Sequence, residues 1–116
     1  MLTIQFYPDG DRGPAQEYFE HLRERGERRK ALARLIVDLD ILAQEGLTSP
    51  RISVRSMGPG LWELRRMYQG VFYRILFCVH QQRAWLLHAF EKETKKTSLR
   101  DLELAKGRMA KIVGGR

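Results

Sequence analysis

Leu61-Trp62-Glu63-Leu64-Arg65-Arg66-Met67-Tyr68, then Gln69-Gly70, then Val71-Phe72-Tyr73-Arg74-Ile75-Leu76-Phe77-Cys78-Val79 is the stretch on which the fold turns. Both arms are rich in aromatic, branched and other apolar residues, and the Gln-Gly pair between them reads as a hairpin turn. Two antiparallel strands are therefore expected over 61–68 and 71–79. Side chains alternate along a strand, so Val71, Tyr73, Ile75, Phe77 and Val79 share one face. Phe72, Arg74, Leu76 and Cys78 share the other. Arg65 falls on a face with Glu63 and Met67.

Working outward, His80-Gln81-Gln82 is a second turn, and Arg83 to Phe90 a further strand in which alternation groups His88 with Leu86 and Phe90. Upstream, Ile52 and Val54 carry strand periodicity from Pro50 onward, and Met57-Gly58-Pro59-Gly60 makes the intervening turn. An antiparallel meander results. At the other end, Leu2, Ile4 and Phe6 alternate with Thr3, Gln5 and Tyr7 until Pro8-Asp9-Gly10 stops the strand. Pro14 suits a first helical turn, and Ala15, Tyr18, Phe19 and Leu22 form one stripe until Gly26. A second helix, from about Arg28 to Glu45, is written by Ala31, Leu35, Ile36, Leu39 and Leu42, with Gly46 as its stop. The charged run from Glu24 to Lys30 reads as the solvated connection between the two helices.

Ser98 followed by Asp101 resembles a capping box, and Leu99, Leu102, Ala105, Met109 and Ile112 mark one face of a closing helix. The order is β-α-α-β-β-β-β-α: an α+β fold with an N-terminal strand and a two-helix hairpin on an antiparallel meander. A single domain is expected over 1–116, with 113–116 as a frayed tail. The apolar stripes of the helices are wide enough that a partner's strand or helix could use what the sheet leaves uncovered.

The chain carries 21 Lys+Arg against 14 Asp+Glu. Residues 1–60 hold nine of each sign, whereas 61–116 hold twelve basic and five acidic, so all the excess of +7 lies in the second half. Such lopsided charge points to a polyanionic partner, with RNA favoured. No stretch is long and apolar enough for a membrane span, and the N-terminus shows no secretory leader, so a soluble cytoplasmic protein is expected. Cys78 has no cysteine to pair with and sits in an apolar run, as a buried thiol does.

Arg65, Arg74 and His88 are polar residues in strand interiors, and Lys92, Lys95 and Lys96 follow the last strand. Together they suggest a cationic cleft for phosphate. Metal-free RNA cleavage needs a base for the attacking 2′-OH, an acid for the leaving oxygen and stabilisation of added negative charge. Imidazole titrates near neutrality, so His88 is the natural proton carrier, with Arg65 and Arg74 as charge stabilisers and Lys92 as a further candidate. Arg66, Lys95, Lys96 and Tyr73 are expected to contact RNA. Glu63, Glu91, Glu93, Asp101 and Glu103 are scattered among basic residues, and His21, His80 and His88 are far apart, so neither a metal nor a cofactor is expected.

Three ordered blocks, Gly60-Leu61-Trp62-Glu63-Leu64-Arg65, Tyr73-Arg74-Ile75-Leu76-Phe77 and Leu86 to Thr97, resemble the phage-derived Gp49-like proteins, the HigB branch of the RelE/ParE toxin superfamily. The resemblance covers nearly the whole chain. It implies a RelE-like fold and the toxin of a type II toxin–antitoxin pair: a ribosome-dependent mRNA endoribonuclease inhibiting translation, neutralised by a small antitoxin, commonly of helix-turn-helix type. Arg65, Arg74, His88 and Lys92 fall where that family keeps polar or basic residues in or beside its cleft. Glu93 stands where a second Lys commonly follows, Ser98 where Pro often opens the last helix, and 99–104 lacks the Tyr of some relatives. His88 or a Lys is then left for acid–base chemistry. The alternatives are a binder without catalysis, such as a DNA gyrase poison, and an RNA-binding module.

Overall fold

The computed structural model describes residues 1–94 and 96–114. Its elements are β1 (Thr3–Phe6), α1 (Pro14–Arg23), α2 (Glu27–Glu45), β2 (Ser53–Ser56), β3 (Leu61–Tyr68), β4 (Val71–His80), β5 (Arg83–Lys92) and α3 (Leu99–Val113). Pro14 opens α1, Gly46 caps α2, and the Ser98 side chain accepts the Asp101 N–H at the start of α3, each as the sequence signals. Residues 113 and 114, expected in a frayed tail, are ordered at the end of α3. Val113 closes α3, and the Gly114 N–H still bonds the Ala110 carbonyl at 2.7 Å; residues 115–116 lie outside the described residues.

The five strands form one sheet in the order β1-β5-β4-β3-β2. The meander β2 to β5 is antiparallel throughout, and β1 joins β5 in parallel at the edge. Gln69 and Gly70 both take positive φ, 51° and 81°, giving a two-residue turn whose twist suits the flanking strands. Gln81 and Gln82 do the same at 54° and 62°, although neither is a glycine. The first turn pairs Leu61 with Cys78 and Arg65 with Arg74 across β3 and β4.

Each sheet face has its own core. On one, α1 and α2 bury Ala15, Phe19, Leu22, Leu35, Leu39 and Leu42 against Leu64, Tyr73, Ile75, Phe77 and Leu86. On the other, Ala105 of α3, flanked by Leu102, Met109 and Ile112, packs on Leu61, Leu76, Cys78 and Leu87. Burial also pushes the Cys78 thiol up to about 11. The helices are tied to the sheet by charge as well. Arg66 grips the buried Asp38 of α2 through Nε at 2.9 Å and Nη2 at 2.6 Å, while Tyr18 and Arg28 both reach Glu91 of β5. Ile36 and Val37 of α2 stay exposed beside an apolar groove of about 500 Å³ that reaches Ile4, Phe6 and Phe19. No helix among the described residues is long and apolar enough to cross a membrane.

One strand departs from alternation. Leu76 pairs with His88 but Phe77 pairs with Leu86, so Leu87 is an extra residue in β5. The resulting bulge turns Leu86 to the α1/α2 core and sets both Leu87 and His88 on the α3 side, after which Ala89 returns to the α1/α2 core and Phe90 to the α3 side. His88 therefore shares a face with Phe90 and not, as strict alternation predicted, with Leu86. Arg108 of α3 donates to the Leu87 carbonyl at 2.7 Å, satisfying an acceptor at the bulge.

Candidate functional site

Beyond the α3-covered apolar patch, the same sheet face is charged. Strand registers lay its residues in rows: Lys92, Phe72 and Met67; then Phe90, Arg74, Arg65 and Ser53; then His88, Leu76, Glu63 and Arg55. The first turn of α3 borders these rows at β5.

At that border one carboxylate gathers three partners. His88 Nε2 lies 2.8 Å from Asp101 Oδ1, Lys92 Nζ lies 3.3 Å from Oδ2, and the Ser98 hydroxyl donates to Oδ2 at 2.5 Å. Burial pushes the Asp101 carboxyl up, but hydrogen bonds from Ser98, His88 and Lys92 outweigh it and hold the group below the ordinary 3.8. The His88 ring stacks on Phe90 with centroids 4.8 Å apart and planes at 21°. With Nε2 committed to the carboxylate, Nδ1 is the ring nitrogen left for other chemistry. A carboxylate on one imidazole nitrogen fixes the ring's orientation and tautomer, as a positioned proton carrier needs.

The second cluster is internal. Arg74 and Glu63 are both 0% exposed. Arg74 Nη1 lies 3.3 Å from both Glu63 oxygens and donates to Thr97 Oγ1 at 3.0 Å, Nη2 donates to the Thr94 carbonyl at 2.5 Å, and the Thr97 hydroxyl closes the ring on Glu63. Arg74 Nε has no partner among the described residues. Arg55 on β2 reaches the same carboxylate at 3.4 Å from a half-exposed position. Arg65 lies between Arg55 and Arg74 and over the Phe72 ring at 5.4 Å, and no carboxylate pairs with it among the described residues. Its guanidinium is held below the usual range, chiefly by burial and then by Arg55 and Arg74, with Glu63 opposing. An anion beside Arg65 would relieve that crowding.

Of the residues singled out from sequence, Arg65, His88 and Lys92 share this face and keep some exposure. Arg74 is on the face but sealed beneath it. Arg66 and Tyr73 point the other way: Arg66 to Asp38, Tyr73 into the α1/α2 core at 3% exposure. Lys96 is exposed on the β5–α3 connection, and Lys95 lies outside the described residues. Sequence reasoning missed Asp101 as a site residue because it reads fully as a helix cap. It also passed over Arg55 and Phe90, which look like ordinary surface and core residues until the strand register is known. Among the described residues no three His, Cys, Asp or Glu side chains gather as a metal site would need.

A family model described as phage-derived protein, Gp49-like, matches residues 19–110, from α1 to the last turn of α3. No curated protein matches the chain.

Proposed function

The chain belongs to the phage-derived Gp49-like family, a family of RelE/HigB-type toxins of toxin–antitoxin pairs, and from that premise we propose that it is an endoribonuclease that cleaves mRNA on the ribosome. The observation that carries the reading is Asp101 holding His88 and Lys92 together at 2.8 and 3.3 Å, on the face where Arg65 has no carboxylate partner among the described residues. The chemistry assigned to them needs no metal. The 2′-OH attacks the adjacent phosphorus, the P–O5′ bond breaks, and the products are a 2′,3′-cyclic phosphate and a free 5′-OH. His88 takes the 2′-OH proton through Nδ1, Asp101 stabilises the imidazolium, and Lys92 and Arg65 neutralise the charge added to the phosphoryl oxygens. Protonation of the leaving 5′ oxygen falls to Lys92 or to water.

Arg74 has no route to substrate and takes no part in these steps. Lys96 supplies backbone contact, and Phe72 and Phe90 offer rings on which an unpaired base can stack. An acidic antitoxin, commonly of helix-turn-helix type in this family, is the expected partner in the cytoplasm, with the ribosome and mRNA as targets.

Labelled amino acid and labelled thymidine, pulsed after induction of the wild type and of His88→Ala, test the reading, with primer extension on a reporter mRNA. Prompt loss of amino-acid incorporation with new mRNA ends, absent in the variant, is expected. Early loss of thymidine incorporation with intact mRNA would instead make the chain a gyrase poison.

A further inference from the structure

Glu63 and Arg74 sit at full burial on the α3 side of the sheet, on the face of the site but exposed at no point of it. Burying such a pair is costly, and replacing one with apolar residues is often neutral or stabilising, so stability alone does not account for it. What the pair does hold is particular. Arg74 donates to the Thr94 carbonyl and the Thr97 hydroxyl, and Thr97 in turn donates to Glu63. Both threonines belong to the short connection between Lys92, the last residue of β5, and Ser98, the cap of α3. Lys92 and Asp101 lie on opposite sides of that connection and touch each other across it. Its path therefore sets where Asp101 stands relative to His88 and Lys92.

We infer that Arg74, Glu63 and Thr97 are positioning residues: a buried latch that fixes the β5–α3 connection and so holds Asp101, His88 and Lys92 in their working arrangement. The role rests on the nuclease reading, since the arrangement it protects is the one assigned there to proton transfer. The latch acts from beneath the sheet surface and touches no substrate atom. Thr94 and Lys96 are exposed whereas Thr97 is buried, so the Thr97 hydroxyl and the Thr94 carbonyl are the points at which the buried pair holds the connection.

Thr97→Val tests this with the least disturbance, because it keeps the volume and removes only the hydroxyl that links Arg74 to Glu63. Thr97→Ser keeps the hydroxyl and serves as the rescue. Two measurements are made on each purified chain: backbone order parameters at Thr94 and Lys96 by NMR, and cleavage kinetics on mRNA-programmed ribosomes. For Thr97→Val the order parameters are expected to fall from the rigid range near 0.85 towards 0.6 or below, with core resonances unchanged. Its kcat is expected to drop on the order of 10²-fold, as for displacement of a catalytic group by about 1 Å, with KM held. Thr97→Ser should restore both.

Unchanged order parameters and wild-type kcat in Thr97→Val overturn the latch, as does a loss of kcat that Thr97→Ser fails to restore. If the wild type cleaves no ribosome-bound mRNA, the nuclease reading falls, and with it any role of the latch in cleavage. The order parameters then decide independently whether the cluster holds the connection.

Discussion

Replacing Arg74 by methionine removes a charge from the interior while keeping most of the side chain's length. Glu63, 0% exposed, would keep the Thr97 hydroxyl and the contact at 3.4 Å from Arg55. Arg55 is half exposed, so water screens it and it restores only part of what Arg74 supplied. Breaking a buried pair by removing one partner costs about 3–5 kcal/mol, because the remaining charge is stranded. The residual Arg55 contact puts Arg74→Met at the low end, near 3 kcal/mol, a large share of the roughly 5–15 kcal/mol that holds a domain together.

The double variant Arg74→Met/Glu63→Leu strands no buried charge and is expected within about 1 kcal/mol of wild type or above it. Urea unfolding followed by circular dichroism, applied to both and to Glu63→Leu alone, closes the double-mutant cycle that isolates the coupling. A single variant within about 1 kcal/mol of wild type would refute the reading of Glu63–Arg74 as a buried ion pair.

Asp101→Asn should leave His88 and Lys92 without their shared anion and abolish mRNA cleavage in a folded protein. Because the native Asp101 carboxyl is held below 3.8, its contribution is complete above that value and lost as pH falls through the lowered native one; the variant's stability deficit should therefore close in acid, as acid titration by circular dichroism would show. Arg66→Met strands Asp38, which is 2% exposed, and should cost about 1–3 kcal/mol by urea unfolding. Cleavage at permissive temperature should survive it, since Arg66 faces α2; its loss in a folded variant would place RNA on that face.

The legible parts of this fold are those encoded locally. Gly46 stops a helix, Gln69-Gly70 turns a hairpin, Ser98 caps α3, and each is read from a few neighbouring residues whose backbone preferences leave little choice. The parallel pairing of β1 with β5 is different in kind, because a partner some 80 positions away leaves no trace in either strand's own pattern. The bulge at Leu87 is intermediate. Two successive leucines, Leu86 and Leu87, are the only hint that the strand buries residues on both faces at that point, and one extra residue was enough to separate His88 from Leu86 and set it toward Asp101. Asp101 itself was legible as a cap, and a cap with a carboxylate can serve a second group whenever the fold brings one within reach.

Arg74 is the instructive misreading, since the information needed to place it was present. A two-residue turn at 69–70 fixes the register, which sets Arg65 opposite Arg74 and Glu63 opposite Leu76. Glu63 and Arg74 are then diagonal neighbours on one face, about 7–8 Å apart at the backbone and within reach of long side chains. Opposite charges so placed in strands that are otherwise apolar neutralise each other before they meet a ligand. The same register leaves Arg65, Lys92 and His88 with no acidic neighbour across the sheet, and Asp101, which comes from α3, meets only the last two. Tyr73 and Arg66 were separable by alternation alone, being one residue out of phase with Arg74 and Arg65. A basic residue in a strand interior therefore points to a ligand only after the hairpin register has been searched for the acid that would retire it into the core.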